Sequence, residues 1–163
     1  MFRIRLLILL LINLSIFGCT KKPIDQINTF RVGYIETDID GQIAHNFFET
    51  HLNSFSALDQ YSKLKIDGKI NHSGDLFITN IDNTSNREKI TSTLKISISN
   101  GDCNVYVSSS SVSQFYLIAS STKFKSNTAA IKKIKSDNTE ILVKNIINKI
   151  LDKKLNCIDD NQS

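Results

Sequence analysis

The sequence predicts an α+β domain: a four-stranded, mostly antiparallel sheet with two helices packed on one face, in the order β-α-β-β-β-α. Three observations lead there. Several segments alternate apolar and polar residues with the period of a strand, two others repeat apolar residues every three or four positions as a helix does, and Asn100-Gly101 separates two of the alternating runs as a tight hairpin turn would.

The first strand begins near Asn28, where Phe30, Val32 and Tyr34 fall on one face and Ile35 ends it on the other. Asp38-Ile39-Asp40-Gly41 reads as a turn. A helix over Gln42 to Asn53 follows, because Ile43, Ala44, Phe47, Phe48, His51 and Leu52 draw a stripe along it. Tyr61, Leu64 and Ile66 open a second strand that runs, with a break near Asn71 to Gly74, into Leu76 to Ile81.

The third strand is the clearest. Ile90, Ser92, Leu94, Ile96 and Ile98 alternate with Lys89, Thr91, Thr93, Lys95 and Ser97, so one face packs and the other meets water. After Asn100-Gly101, Val105 and Val107 restart the alternation, and beyond Ser108 to Ser111 it resumes with Phe115 and Leu117. Asp137-Asn138-Thr139-Glu140 has the form of a capping box. The helix it predicts buries Leu142, Val143, Ile146, Ile147, Ile150 and Leu151 and exposes Lys144, Lys149, Lys153 and Lys154. With two helices and a largely antiparallel sheet, the economical packing puts both helices on one face.

The amino-terminal residues carry a different message. Arg3 and Arg5 precede an uncharged apolar run of 12 residues, Leu6 to Phe17, followed by Gly18-Cys19. That run is too short to span a hydrocarbon core of ~30 Å as a helix, so it reads as a removable export signal. A cysteine behind a small residue looks like a bacterial lipobox, in which the thiol receives a diacylglycerol. The other reading is an ordinary secretory signal cut near Gly18. The expected organisation is a signal peptide over 1–18, a lipidated amino terminus and tether over 19–28, one domain over 29–157 and a disordered tail over 158–163.

Without residues 1–18 the chain keeps 18 basic side chains against 16 acidic ones, too even a balance to suggest nucleic acid as a partner. About 145 residues suffice for one domain with its own core. Cys103 lies past the hairpin tip and Cys157 past the last helix, at what should be the same end of the domain. In an oxidising compartment they are a candidate disulfide; two free thiols are the alternative.

Residues for catalysis or metal binding are not apparent. His45 and His51, six apart on the first helix, do not share a face as a metal pair at i, i+4 would. There is no Cys-x-x-Cys, no glycine-rich phosphate loop and no Gly-x-Ser-x-Gly elbow. Asp25, Asp38, Asp40 and Asp67 read as solvated turn residues, and Ser108 to Ser113 as a polar strand segment with no base beside it. No catalytic residue, metal or cofactor is expected.

Gly41-Gln42-Ile43-Ala44-His45-Asn46-Phe47, then Asn83-Thr84-Ser85-Asn86-Arg87, Phe115-Tyr116 and the closing Asp137 to Leu151 helix, in that order behind a lipobox, resemble the LPS-assembly lipoprotein family LptE in its alphaproteobacterial form. The resemblance spans nearly all of the domain. It implies a protein lipidated at Cys19, held on the periplasmic side of the outer membrane, that sits in the lumen of the large β-barrel LptD and helps lipopolysaccharide reach the outer leaflet. It also implies that Arg87, on the turn between strands two and three, and Lys135, on the loop before the last helix, meet LPS phosphates or acidic sugars. Lys132 and Lys133 extend that cluster, with Lys123 and Lys125 on the same loop. The bland alternative is that loop lysines are simply solvated. The competing function is a free-standing periplasmic lipoprotein that binds a small ligand or another envelope protein.

Overall fold

The computed structural model describes residues 28–78, 86–117 and 124–157. The signal peptide, Cys19, the tether to residue 27, Lys123 and the 158–163 tail lie outside the described residues. The elements are β1 (Arg31–Glu36), α1 (Asp38–Ser54), β2 (Leu64–Ile78), β3 (Asn86–Asn100), β4 (Cys103–Leu117) and α2 (Phe124–Ile150). They form one sheet in the order β1-β2-β3-β4. β1 runs parallel to β2, with α1 as the crossover, and β2, β3 and β4 form an antiparallel meander.

Both helices cover the same face. Ile66 and Ile70 of β2 and Leu94, Ile96 and Ile98 of β3 are buried against Ala44, Phe48 and Leu52 of α1 and Leu142, Val143, Ile146, Ile147 and Ile150 of α2. Fully burying an aliphatic or phenyl side chain stabilises by about 1.5–3 kcal/mol, so this single cluster holds the layers together. The alternation predicted for β3 is the one observed.

Elsewhere the structure corrects the sequence reading. In β1 the register shifts between Val32 and Ile35, so Ile35 turns into the core and Tyr34 turns out, 71% exposed. In β4, Ile98 pairs with Tyr106 and Ser99 with Asn104, which leaves Val105 as an extra residue. The bulge buries Val105 and sends Val107 and Phe115 to the solvent face. Tyr61 precedes β2 and is exposed, and β2 continues through Asn71 to Gly74 without a break.

Both helices begin earlier than predicted. Asp38-Ile39-Asp40-Gly41 is the first turn of α1, where two carboxylates suit the positive end of the helix dipole. Gly41 is required by close approach: a Cβ there would stand 2.4 Å from the Ile35 carbonyl oxygen. α2 starts at Phe124, so Asp137 is not an N-cap; it lies within the helix and pairs with Lys133 one turn earlier. The hairpin turn is displaced by one residue. Asn100 pairs with Cys103, and Gly101, at φ +63°, takes the first central position that favours glycine.

Candidate functional site

Beside the apolar core, the same sheet face carries a polar seam. β2 and β3 pair His72 with Ser92, placing both side chains under the helices. His72 Nδ1 lies 2.7 Å from Ser92 Oγ, and the Asn138 side-chain amide of α2 donates to Ser92 Oγ at 3.0 Å and to the Ile90 carbonyl at 3.3 Å. On the other side His72 Nε2 faces Asp40 Oδ2 at 3.7 Å, and Lys135 Nζ stands 3.8 Å from the same oxygen. Burial lowers the His72 pKa below its ordinary value; Asp40 opposes that and Lys135 adds to it.

Serine, histidine and aspartate in line resemble a nucleophilic relay, but the geometry denies it a substrate. Ser92 and Asn138 are 0% exposed and the His72 side chain 3%, all closed between the sheet and α2. The seam ties both central strands to α2 by hydrogen bonds and reaches α1 through the Asp40 carboxylate facing His72. Thr37, at φ 96°, closes it from the β1–α1 junction, its hydroxyl donating to the Ile70 carbonyl at 2.8 Å. Two atoms of the seam, His72 Nε2 and Asn138 Oδ1, have no hydrogen-bond partner among the described residues.

The opposite face of the sheet has no helix on it among the described residues. It bears Thr91, Thr93, Ser97, Ser109, Ser111 and Ser113, with hydroxyl pairs between strands at Thr91–Ser113 (2.9 Å) and Thr93–Ser111 (2.8 Å). Two ion pairs lie on it, Lys65 with Asp67 at 2.9 Å and Lys69 with Glu36 at 3.0 Å, and Lys95, opposite Lys69 in the β2–β3 register, adds a further basic residue. Asp67 also accepts from the Tyr34 backbone amide at 2.8 Å, so it is a mid-strand ion-pair member and not a turn residue. A trough of about 410 Å³ runs between Tyr34, Lys69, Lys95 and Val107.

The predicted cationic residues divide. Arg87 is in β3, not on the turn, and is exposed. Lys132, Lys133 and Lys135 are on α2, not on a loop. Asn138 binds the Ile90 carbonyl, so Lys135, one turn before it, and Arg87, three residues before Ile90, occupy the same end of the domain. Lys133 is paired with Asp137 and Lys135 faces Asp40, which leaves Lys132 the least neutralised of the three. At the opposite end, Cys103 and Cys157 form a disulfide with Cα atoms 5.7 Å apart.

His45 lies 3.8 Å from Glu49, and His51 lies 3.6 Å from Glu140 of α2. A groove of about 600 Å³ opens between β1 and α1, lined by Tyr34, Thr37, Asp38, His45 and Glu49 among others. The seam was missed by sequence reasoning, although Ser92 inside a stripe of isoleucines was a legible sign of it.

No family model matches the chain, and no curated protein matches it by sequence. Solved structures do resemble it. A minor lipoprotein from Acinetobacter baumannii aligns over 82% of this chain and 97% of its own, with a TM-score of 0.60 at 9% identity. Rare lipoprotein B from Shewanella oneidensis aligns over 73% of this chain and 95% of its own, with a TM-score of 0.51 at 4% identity. At these identities the likeness establishes a shared fold.

Proposed function

We propose that the protein is a lipid-anchored lipoprotein on the periplasmic side of the outer membrane that plugs and helps assemble an LptD-like β-barrel, and so serves lipopolysaccharide transport to the outer leaflet. The observation that carries this reading is the uncovered sheet face. A barrel lumen is wet and polar, and a partner that fills it should present hydroxyls and other polar groups more than apolar patches. The Thr91–Ser113 and Thr93–Ser111 pairs, flanked by Lys65–Asp67 and Lys69–Glu36, provide such a surface. The lipobox at Cys19 and a fold shared with two proteins named as lipoproteins support the location. Among the described residues, no helix is long and apolar enough to cross a membrane.

In this reading Arg87 and the α2 lysines, at one end of the domain, meet the anionic part of the lipid. Affinity purification of the tagged chain from native outer membranes, with its partner identified by mass spectrometry, tests the proposal. A large β-barrel in near-equal amount supports it; recovery of the chain alone, from membranes that contain such a barrel, refutes it. The β1–α1 groove favours a second reading, a free-standing lipoprotein that takes a small ligand between Tyr34 and His45.

A further inference from the structure

The two edges of the sheet are built in opposite ways. β1 is six residues long, carries Arg31 and Glu36 at its ends, and is broken by a register shift. These are features that discourage a new strand from pairing. β4 is 15 residues long and contains no charged residue and no proline. Its only irregularity is the bulge at the hairpin end; from Tyr106 to Leu117 the ladder with β3 is regular. Every other strand of the sheet carries charges. Among the described residues β4 is an edge strand of the sheet, and a long, uncharged edge is one that another strand can join.

The side chains of β4 specify which strand. Val107 and Phe115, 64% and 58% exposed on the helix-free face, each lie four residues from Ser111. An antiparallel partner of identical sequence, related by a twofold axis through Ser111, therefore sets Val107 opposite the second copy's Phe115 and Phe115 opposite the second copy's Val107. Ser109 then faces the second copy's Ser113, and Ser111 faces its own equivalent. On the helix side the same register sets Tyr106 against the second copy's Tyr116, and Val112 against the second copy's Ser110. Aromatic and β-branched pairs are among the favourable cross-strand neighbours, and no like charges meet anywhere along these 11 positions. Such a contact is isologous and closed. Beside the axis, Leu142, Asn145, Asn148 and Lys149 of α2 line a groove of about 460 Å³ with Ser110 and Ser111, and Lys149 is the charged residue in that lining.

We infer that β4 is a self-pairing edge, through which two copies of this chain join into a continuous eight-stranded sheet centred on Ser111. The inference does not rest on the barrel reading. A closed barrel offers no open strand edge, so β4 pairing belongs to the chain outside the barrel.

The test uses the full-length exported chain, purified in detergent without its membrane partners. Directly opposed residues of an antiparallel pair have Cα atoms about 4.5–5.5 Å apart, inside the Cα–Cα range of about 4.4–6.8 Å that a disulfide bridges. Ser111→Cys should therefore yield a covalent dimer under mild oxidation. Ser109→Cys and Ser113→Cys should each cross-link poorly alone but efficiently when mixed. Val107→Asp and, separately, Phe115→Asp should each raise the dimer dissociation constant at least tenfold in sedimentation; both sites are exposed, so the monomer should still fold. A Ser111→Cys chain that stays monomeric overturns the inference. So does cross-linking of Ser109→Cys alone as readily as Ser111→Cys, which would show a different register or random collision.

Discussion

His72 Nδ1 and Ser92 Oγ meet at 2.7 Å in the interior of the domain, at a position where the flanking residues of β3 on the same face, Ile90 and Leu94, are buried hydrophobics. Desolvation holds the His72 pKa down, so the native state favours the neutral imidazole. The unfolded chain binds a proton near pH 6.5, whereas the native chain does so only at lower pH. The contribution to stability is present above pH 6.5 and is lost as pH falls through the depressed native value. Thermal unfolding at pH 7.5, 6.5 and 5.5 should show a falling midpoint, and His72→Gln should flatten that slope below pH 6.5. An unchanged slope in the variant would assign the acid sensitivity to other groups.

Asn138 is the residue through which α2 grips β3. Asn138→Leu removes the donor to Ser92 Oγ and the Ile90 carbonyl and leaves buried acceptors short of partners, a cost of about 1–3 kcal/mol. Urea unfolding measures it. A neutral or stabilised variant would mean that the unpartnered Asn138 Oδ1 already outweighs what the amide contributes.

Gly41→Ala tests the α1–β1 approach by its sign. In an open helix that change stabilises by up to about 1 kcal/mol, but here the new methyl meets the Ile35 carbonyl. The expected result is a net destabilisation of about 1–3 kcal/mol, as for other overpacked sites. A gain in stability would show that β1 can move away from α1 freely.

The Cys103–Cys157 bond closes a loop with a sequence separation of 54. In the chain-entropy model it stabilises by roughly 4 kcal/mol. Cys103→Ser with Cys157→Ser should lower the midpoint of unfolding accordingly while leaving the fold intact, since neither cysteine is among the buried residues of the core cluster. Thiol labelling of the exported protein without reductant should modify neither cysteine.

For the cationic end, Arg87→Asp combined with Lys132→Asp should weaken lipopolysaccharide binding and leave barrel recovery unchanged. Lys135→Asp should additionally destabilise the domain, because it places a carboxylate beside Asp40. Equal lipid binding by wild type and the Arg87/Lys132 variant would remove this end of the molecule from the lipid path.

What was legible in the sequence was whatever obeyed a single period. Ile90 to Ile98 kept strict alternation and gave β3 and its buried face correctly, and the order of elements followed. Tyr34 and Val107 were misassigned because a bulge adds one residue and flips every side chain after it, which alternation alone does not reveal. The capping-box pattern at Asp137 misplaced the start of α2. Asn138 and Thr139 serve instead as buried contacts within the helix, Asn138 to β3 and Thr139 to the Lys135 carbonyl at 2.7 Å. The seam stayed hidden because His72 and Ser92 are 20 residues apart and meet only through the β2–β3 register.

The central claim is that the helix-free sheet face lies against the wall of a barrel. Its most direct test is photo-crosslinking in native outer membranes from a probe at Ser97 or Thr93, compared with one at Lys144 on the solvent side of α2. Efficient cross-links from the sheet positions to a single large β-barrel, mapped to lumen-facing residues, are the predicted result. Cross-links from Lys144 alone, or none to a barrel from either sheet position, would contradict it.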